Sequence, residues 1–157
     1  MSLLEIRHLQ LKFYDTQPPL EVVKDVSFAM KEGEILGIVG ESGSGKTQTA
    51  LSVLGLLKKH EEISAGEILF EGKNLAEFSQ KELEAVRGKD ISMIFQEPMT
   101  SLNPVLPVGQ QVEEGLRLHT SYTKEECKKR ALDMVREVEL AEVENIYNRY
   151  PHQLSGG

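Results

Sequence analysis

A glycine-rich loop at residues 40–47 constrains the fold of this chain more than any other stretch. Its members are Gly40, Glu41, Ser42, Gly43, Ser44, Gly45, Lys46 and Thr47, which match the P-loop pattern at every fixed position. Glycines permit turns that direct successive backbone N–H groups inward, at the start of a helix whose dipole also favours an anion. The pattern therefore predicts a polyphosphate site between a buried strand at 35–39 and a helix at 45–57.

Two side chains of this loop have predicted roles in holding a nucleotide. Lys46 would contact the β and γ phosphates as a point charge, and Thr47 would offer its hydroxyl to a bridging Mg²⁺ ion. The alternative is a glycine-rich turn without a ligand, which the flanking strand and helix patterns disfavour. The sequence thus predicts a nucleotide and Mg²⁺ as the ligands.

The composition disfavours several other classes of protein. With 25 acidic and 18 basic side chains among 157 residues, the net charge is −7, which argues against a nucleic-acid partner held by phosphate contacts alone. Cys127 is the single cysteine and cannot form an internal disulfide. No apolar run approaches the roughly 20 residues that span a bilayer, and no secretory signal pattern opens the chain. Any membrane role would come through partner subunits.

The remaining segments alternate between strand and helix patterns. Strands are predicted at residues 3–13, 22–30, 35–39, 67–71 and 91–95, and helices at residues 45–57, 80–88, 108–118 and 124–138. Ser79 and Thr123 each stand three residues before a glutamate, which is the capping-box pattern of a helix start. The pattern indicates an α/β fold.

Two further motifs narrow the class of P-loop protein. Gln96 ends the last predicted strand, and residues 154–157 read Leu-Ser-Gly-Gly. In place and spelling they resemble the Q-loop and the signature motif of ATP-binding cassette (ABC) proteins, and the resemblance covers the whole chain. Residues 95–104, Phe-Gln-Glu-Pro-Met-Thr-Ser-Leu-Asn-Pro, and residues 150–153, Tyr-Pro-His-Gln, look most like the ATPase subunits of bacterial oligopeptide and dipeptide importers, with nickel importers close behind.

The resemblance implies an α/β fold in which a P-loop NTPase core carries an N-terminal antiparallel β subdomain and a helical segment. Residues 1–157 would form the N-terminal part of an ABC ATP-binding domain. About residues 1–98 would hold the β subdomain and the core, and about residues 99–157 the helical segment that ends at the signature.

The resemblance also implies roles for residues outside the P-loop. Phe13 or its neighbour Tyr14 would stack on adenine, although a strand core position is an equal alternative for Phe13. Gln96 would contact Mg²⁺ and the attacking water and act in catalysis with Lys46; a structural hydrogen bond is its alternative role. The signature residues would bind the γ phosphate held by a second subunit: they are Ser155, Gly156 and Gly157.

The chain departs from the family pattern in one respect. An apolar run ending in Asp-Glu and a later switch histidine, which complete the metal and water site in the family, have no match here, since His152 precedes the signature. We therefore expect the chain to be the N-terminal part of a longer ATPase, with negligible hydrolysis by these residues alone.

The implied function is ATP-driven import of a small solute, oligopeptide or dipeptide, through membrane permease subunits. The permease would dock near Gln96 and residues 99–107, and a second ATPase subunit would complete a homodimer or heterodimer, peripheral to the cytoplasmic side of the membrane. No nucleic-acid partner is expected.

Two alternatives belong to other classes. A DNA-repair type of ABC ATPase would place a long coiled coil between Q-loop and signature, but no heptads lie between Gln96 and the signature. A nucleotide-binding fragment without hydrolytic activity is the other alternative, and an assay of phosphate release separates it from an ATPase.

Overall fold

The computed structural model describes residues 2–96, 101–138 and 142–154. The chain divides into two compact units, Met1–Arg87 and Gly88–Gly157. The division that the resemblance implies, with the helical segment starting near residue 99, stays a prediction. No helix in the described ranges is both long and apolar enough to cross a membrane.

The first unit is built on a four-stranded antiparallel sheet. Its strands are β1 (Leu4–Phe13), β2 (Leu20–Met30), β3 (Glu61–Phe70) and β4 (Lys73–Asn74), in the order β2-β1-β3-β4. The central strand β1 buries Ile6, Leu9 and Leu11 almost completely. This confirms the antiparallel β part predicted at the N-terminus.

An irregularity in β1 explains why its apolar residues do not alternate strictly. The register with β3 shifts between Arg7 and Gln10, where His8 has a positive φ of 48°. The facing Gly66 has φ +94°, and a Cβ there would lie 2.4 Å from the carbonyl oxygen of His8, so only glycine fits. Because one residue is added, Ile6 and Leu9 both reach the buried face.

Two helices complete the described part of this unit. Helix α1 covers Lys46–Val53 and α2 covers Gln80–Val86, with a short 3₁₀ helix at Leu75–Glu77 before α2. The capping box predicted at Ser79 is confirmed: Ser79 Oγ accepts from the Glu82 N–H at 3.4 Å, and the Glu82 carboxylate accepts from the Ser79 N–H at 2.8 Å. Helix α1 ends earlier than predicted because Gly55 leaves the helical region, with φ +61°.

The buried strand predicted at residues 35–39 is wrong for this structure. These residues form no strand, and Ile35 and Val39 are 97% and 93% exposed. The run predicted at 91–95 also forms no strand beyond one bridge at Ile91, and Ile94 is 98% exposed. An apolar run becomes a buried strand only when neighbouring strands hydrogen-bond to it, and the described sheet contains β1 to β4 alone.

The second unit is helical. It contains α3 (Val108–His119), α4 (Lys124–Glu137), α5 (Val143–Asn148) and a 3₁₀ turn at Pro151–Gln153. The capping box predicted at Thr123 is confirmed, since the Glu126 carboxylate accepts from the Thr123 N–H at 2.7 Å. Helix α4 buries Cys127, Ala131 and Val135, which repeat at helical spacing.

Candidate functional site

The loop before α1 has the backbone geometry that its glycines predict. Gly43 and Gly45 adopt positive φ angles of 80° and 89°, where side chains are strained. A Cβ at Gly45 would also lie 2.8 Å from the carbonyl oxygen of Val22 in β2. Gly45 is therefore required both for its backbone conformation and for the close approach of the loop to the sheet.

The ammonium group of Lys46 lies inside this loop. Its Nζ donates to the carbonyl oxygens of Gly40 and Glu41 at 2.8 and 2.7 Å, and to Ser44 Oγ at 3.4 Å. In the described part of the chain, no carboxylate forms a salt bridge with it. The loop thus holds a positive charge that neutral dipoles orient and that an anion can still neutralise.

The start of α1 offers further donors. Gly45 is the N-cap and provides no side-chain cap, and the first turn of α1 contains no acidic residue. The N–H groups of a first helical turn have no intrahelical partners, so they are free to bind an anion. Thr49 fixes the turn by donating its N–H and its hydroxyl to the Gly45 carbonyl, at 2.8 and 3.0 Å.

This loop fits a polyphosphate such as that of ATP. Lys46 supplies the charge and the first turn of α1 supplies the N–H groups, and Thr47 is an exposed residue of that same turn. A hydroxyl oxygen is a ligand that Mg²⁺ accepts together with phosphate oxygens. When bound, the ion neutralises phosphate charge.

The two aromatic candidates for the adenine differ in exposure. Phe13 is the last residue of β1, half-buried, and pairs with Leu20 and Glu61 on the neighbouring strands. Tyr14 follows the strand and is 46% exposed, and its N–H donates to the His60 carbonyl at 2.9 Å. Tyr14 therefore has the more accessible ring, and the stacking role of either residue stays a prediction.

The other predicted site residues lie outside the first unit. Gln96 belongs to the second unit and is exposed. Ser155, Gly156 and Gly157 lie outside the described residues. Their roles in catalysis, metal binding and γ-phosphate binding stay predictions.

Arg87 holds the other end of α1 and was not identified from the sequence. Its Nε donates to the carbonyl oxygen of Leu54 at 2.7 Å, and its Nη2 donates to that of Gly55 at 3.1 Å. A cation at the C-terminus of a helix stabilises it. More than thirty residues separate Arg87 from Leu54, and no local pattern signals such a contact.

The chain is similar to known transport ATPases along its whole length. Residues 23–157 match the ABC transporter family. A probable peptide ABC transporter ATP-binding protein of Sinorhizobium fredii is 46% identical over 99% of this chain and 47% of its own length. The dipeptide transport ATP-binding protein DppD of Lactococcus lactis is 42% identical over 99% of this chain and 45% of its own length. The chain thus spans about half the length of these curated relatives.

Solved structures give the same family. The dimeric bacterial ABC transporter cassette MJ0796 is 28% identical and superposes with a TM-score of 0.82, covering 98% of this chain and 63% of that one. The post-hydrolysis state of that cassette, bound to ADP and Pi, is 26% identical and has a TM-score of 0.80, again covering 98% of this chain and 63% of that one. Both support a P-loop α/β fold.

Proposed function

The chain belongs to the ABC transporter family, and on that premise we propose that the whole protein is an ATPase subunit that powers import of oligopeptides or dipeptides. The observation that carries this proposal is the position of Lys46, which the carbonyl oxygens of Gly40 and Glu41 hold inside the loop before α1. This geometry suits a nucleotide polyphosphate. Residues 1–157 would then form the N-terminal part of the ATP-binding domain.

Each site residue has a role in this proposal. Lys46 would bind the β and γ phosphates, and Thr47 would offer its hydroxyl to a Mg²⁺ ion that neutralises phosphate charge. For Gln96, the sequence resemblance supports a further contact to this ion and to the attacking water. Phe13 or Tyr14 stacks on adenine. The signature residues Ser155, Gly156 and Gly157 bind the γ phosphate held by a second ATPase subunit. The dimeric form of the MJ0796 cassette supports this last role.

The solute and the membrane partner are inferred from relatives. The relatives from Sinorhizobium fredii and Lactococcus lactis are named for peptide and dipeptide transport, which supports a peptide cargo and disfavours a DNA-repair role. Permease subunits would bind on the cytoplasmic side of the membrane, at Gln96 and the loop over residues 99–107. In the described part of that loop, Val105 is 74% exposed and Leu106 is 37% exposed, so the loop offers apolar side chains to a partner.

Nucleotide binding is tested by replacing Lys46. Lys46→Ala removes the charge that faces the phosphates, and we expect at least about tenfold weaker binding of Mg-ATP by isothermal titration. Lys59→Ala is the matched control, because Lys59 is an exposed lysine in a turn and should leave the affinity unchanged. Equal affinity of Lys46→Ala and the parent would refute the assignment of the loop.

Transport is tested with the whole ATPase subunit. Together with its permease subunits in liposomes, it should accumulate a labelled dipeptide or oligopeptide only when ATP is supplied on its own side. Phosphate release by the 157-residue chain alone should stay at the level of its Lys46→Ala variant. Uptake that does not depend on ATP would refute the proposed function.

A further inference from the structure

Residues 103–107, within the described part of the proposed docking loop, form a turn that several contacts hold in shape. Pro104 and Pro107 restrict the backbone at either side of the apolar residues Val105 and Leu106. The Asn103 side chain accepts from the Val105 N–H at 3.1 Å, and the Asn103 carbonyl accepts from the Leu106 N–H at 3.3 Å. These bonds form a tight turn that presents Val105 to solvent.

One side chain ties this turn to the first turns of α3. The Gln111 Oε1 accepts from the Asn103 N–H at 2.8 Å. Its Nε2 donates to the carbonyl oxygens of Asn103 and Leu106, at 3.0 and 2.9 Å. The amide of Gln111 thus bonds to backbone groups at both ends of the turn.

Only an amide can make this set of bonds. A backbone N–H can only donate and a backbone carbonyl can only accept, so the partners require one acceptor and two donors on the same side chain. A glutamate carboxylate has no donor for the two carbonyls, and a lysine has no acceptor for the N–H. The partners also fix the orientation of the amide group, with Nε2 towards the carbonyls.

We propose that Gln111 is a positioning residue for the permease: it holds the Val105–Leu106 turn in the shape that the membrane subunit binds. This inference rests on the proposed function, because it concerns the docking of the permease. Gln111 acts through the turn, and nucleotide binding by the P-loop does not depend on it. Losing its three hydrogen bonds would leave the turn free to change shape and would weaken docking.

The test measures binding of the whole ATPase subunit to its detergent-solubilised permease, with Gln111→Ala, Gln111→Glu and a matched Gln110→Ala control. Gln110 is the exposed neighbour on the same helix, and its side chain makes no hydrogen bond in the described residues. We expect both Gln111 variants to bind the permease about tenfold or more weakly. Gln110→Ala should bind like the parent, and all four proteins should have equal affinity for Mg-ATP.

The pH dependence separates positioning from a general loss of structure. A glutamic acid at position 111 regains one donor when it is protonated, so Gln111→Glu should recover part of its permease binding as the pH falls from about 7.5 to 4.5. Gln111→Ala has no such group and should not recover. Val105→Asp tests the surface itself, and combining it with Gln111→Ala should weaken binding little further.

The outcomes are distinguishable from failure of the proposed function. If the parent subunit binds no permease, the proposed function fails. If the parent binds the permease and both Gln111 variants bind it as tightly as the parent does, the inference about Gln111 is wrong. The inference is equally refuted if Gln111→Glu fails to recover at low pH, or if the Gln111 variants lose affinity for Mg-ATP to the same extent as for the permease.

Discussion

The hydroxyl of Tyr147 donates a hydrogen bond to the carboxyl group of Glu113, and both side chains are buried in the helical unit. Burial is the main cause that raises the pKa of Tyr147 to about 12, and the bond to Glu113 adds to it. The phenol therefore stays protonated at neutral pH and remains the donor. This bond joins α5 to α3.

Tyr147→Phe should destabilise the helical unit. The variant keeps the ring but leaves the Glu113 carboxyl group buried without its donor, which costs about 1 to 3 kcal/mol. Tyr150→Phe is the matched control, since Tyr150 is 38% exposed and should change stability little. Urea unfolding followed by circular dichroism measures the difference. Equal stability of the two variants would contradict a structural role for the buried pair.

Gly109→Ala should also destabilise the helical unit. An added Cβ at Gly109 would overlap the ring of Tyr147, so α3 and α5 would have to separate. Gly115→Ala in the same helix is the control, because nothing lies within 4 Å of its Cβ. There, alanine should raise stability by about 0.5 to 1 kcal/mol through helix propensity. The same urea titration should therefore show a lower free energy of unfolding for Gly109→Ala and a higher one for Gly115→Ala.

The contacts around Tyr147 are of a kind that could not be predicted from the sequence. The helices α3 and α4 and the capping boxes at Ser79 and Thr123 were predicted, because they depend on residues within one or two turns. Glu113 and Tyr147 stand 34 positions apart, and neither carries a local signal for the other. Such a pair follows from the packing of helices.

The sheet shows a related limit. β3 begins at Glu61, six residues before the predicted start, because Glu62 and Ser64 are polar residues on its exposed side and obscure the strand pattern. Pairing with the second half of β1 keeps this segment extended. In the candidate site, the spacing of the glycines predicted the loop before α1. The hydrogen bonds of Arg87 and Gln111 had no sequence signature.

Acid should destabilise the capping box of α4. The hydrogen bond from the Thr123 N–H, and then that from the Thr123 side chain, lower the pKa of Glu126 from its ordinary value. At pH values above the pKa of the unfolded state, a carboxylate whose pKa is depressed in the folded state stabilises the folded state. This contribution is lost as the pH falls through the pKa of the folded state. Between about pH 5 and 3, the melting temperature of the parent should thus fall more steeply than that of Glu126→Gln.

The control for this pH dependence is Glu125→Gln. Glu125 is also exposed in the first turn of α4, but in the described structure it accepts no hydrogen bond from Thr123. Its variant should keep the steeper acid response of the parent. If Glu126→Gln and the parent lose stability in parallel on acidification, the capping carboxylate does not carry the effect.

Adenine stacking should distinguish Phe13 from Tyr14. Removing the ring that stacks on the base should weaken nucleotide binding by about 1 to 3 kcal/mol. Tyr14 has the more exposed ring, so Tyr14→Ala is expected to weaken binding of Mg-ATP, and Phe13→Ala to affect mainly folding. Titration with both Mg-ATP and Mg-tripolyphosphate checks this, since only the affinity for ATP should change in Tyr14→Ala. If neither variant differs from the parent, the aromatic contact is misassigned.

The last prediction concerns the apolar segment at residues 35–39. Its backbone pairs with no strand in the described structure, and Ile35 and Val39 are almost fully exposed. Its amides should therefore exchange hydrogen rapidly in the 157-residue chain, whereas the amides of Leu9 and Leu11 in β1 should exchange slowly. Exposed β-branched residues without a paired backbone also favour association between chains. Ile35→Thr combined with Val39→Thr should accordingly lower the light scattering of the purified chain. The corresponding substitutions of the buried Leu9 and Leu11 by threonine would instead unfold it. A monomer with strongly protected amides at 35–39 would show that these residues pair after all.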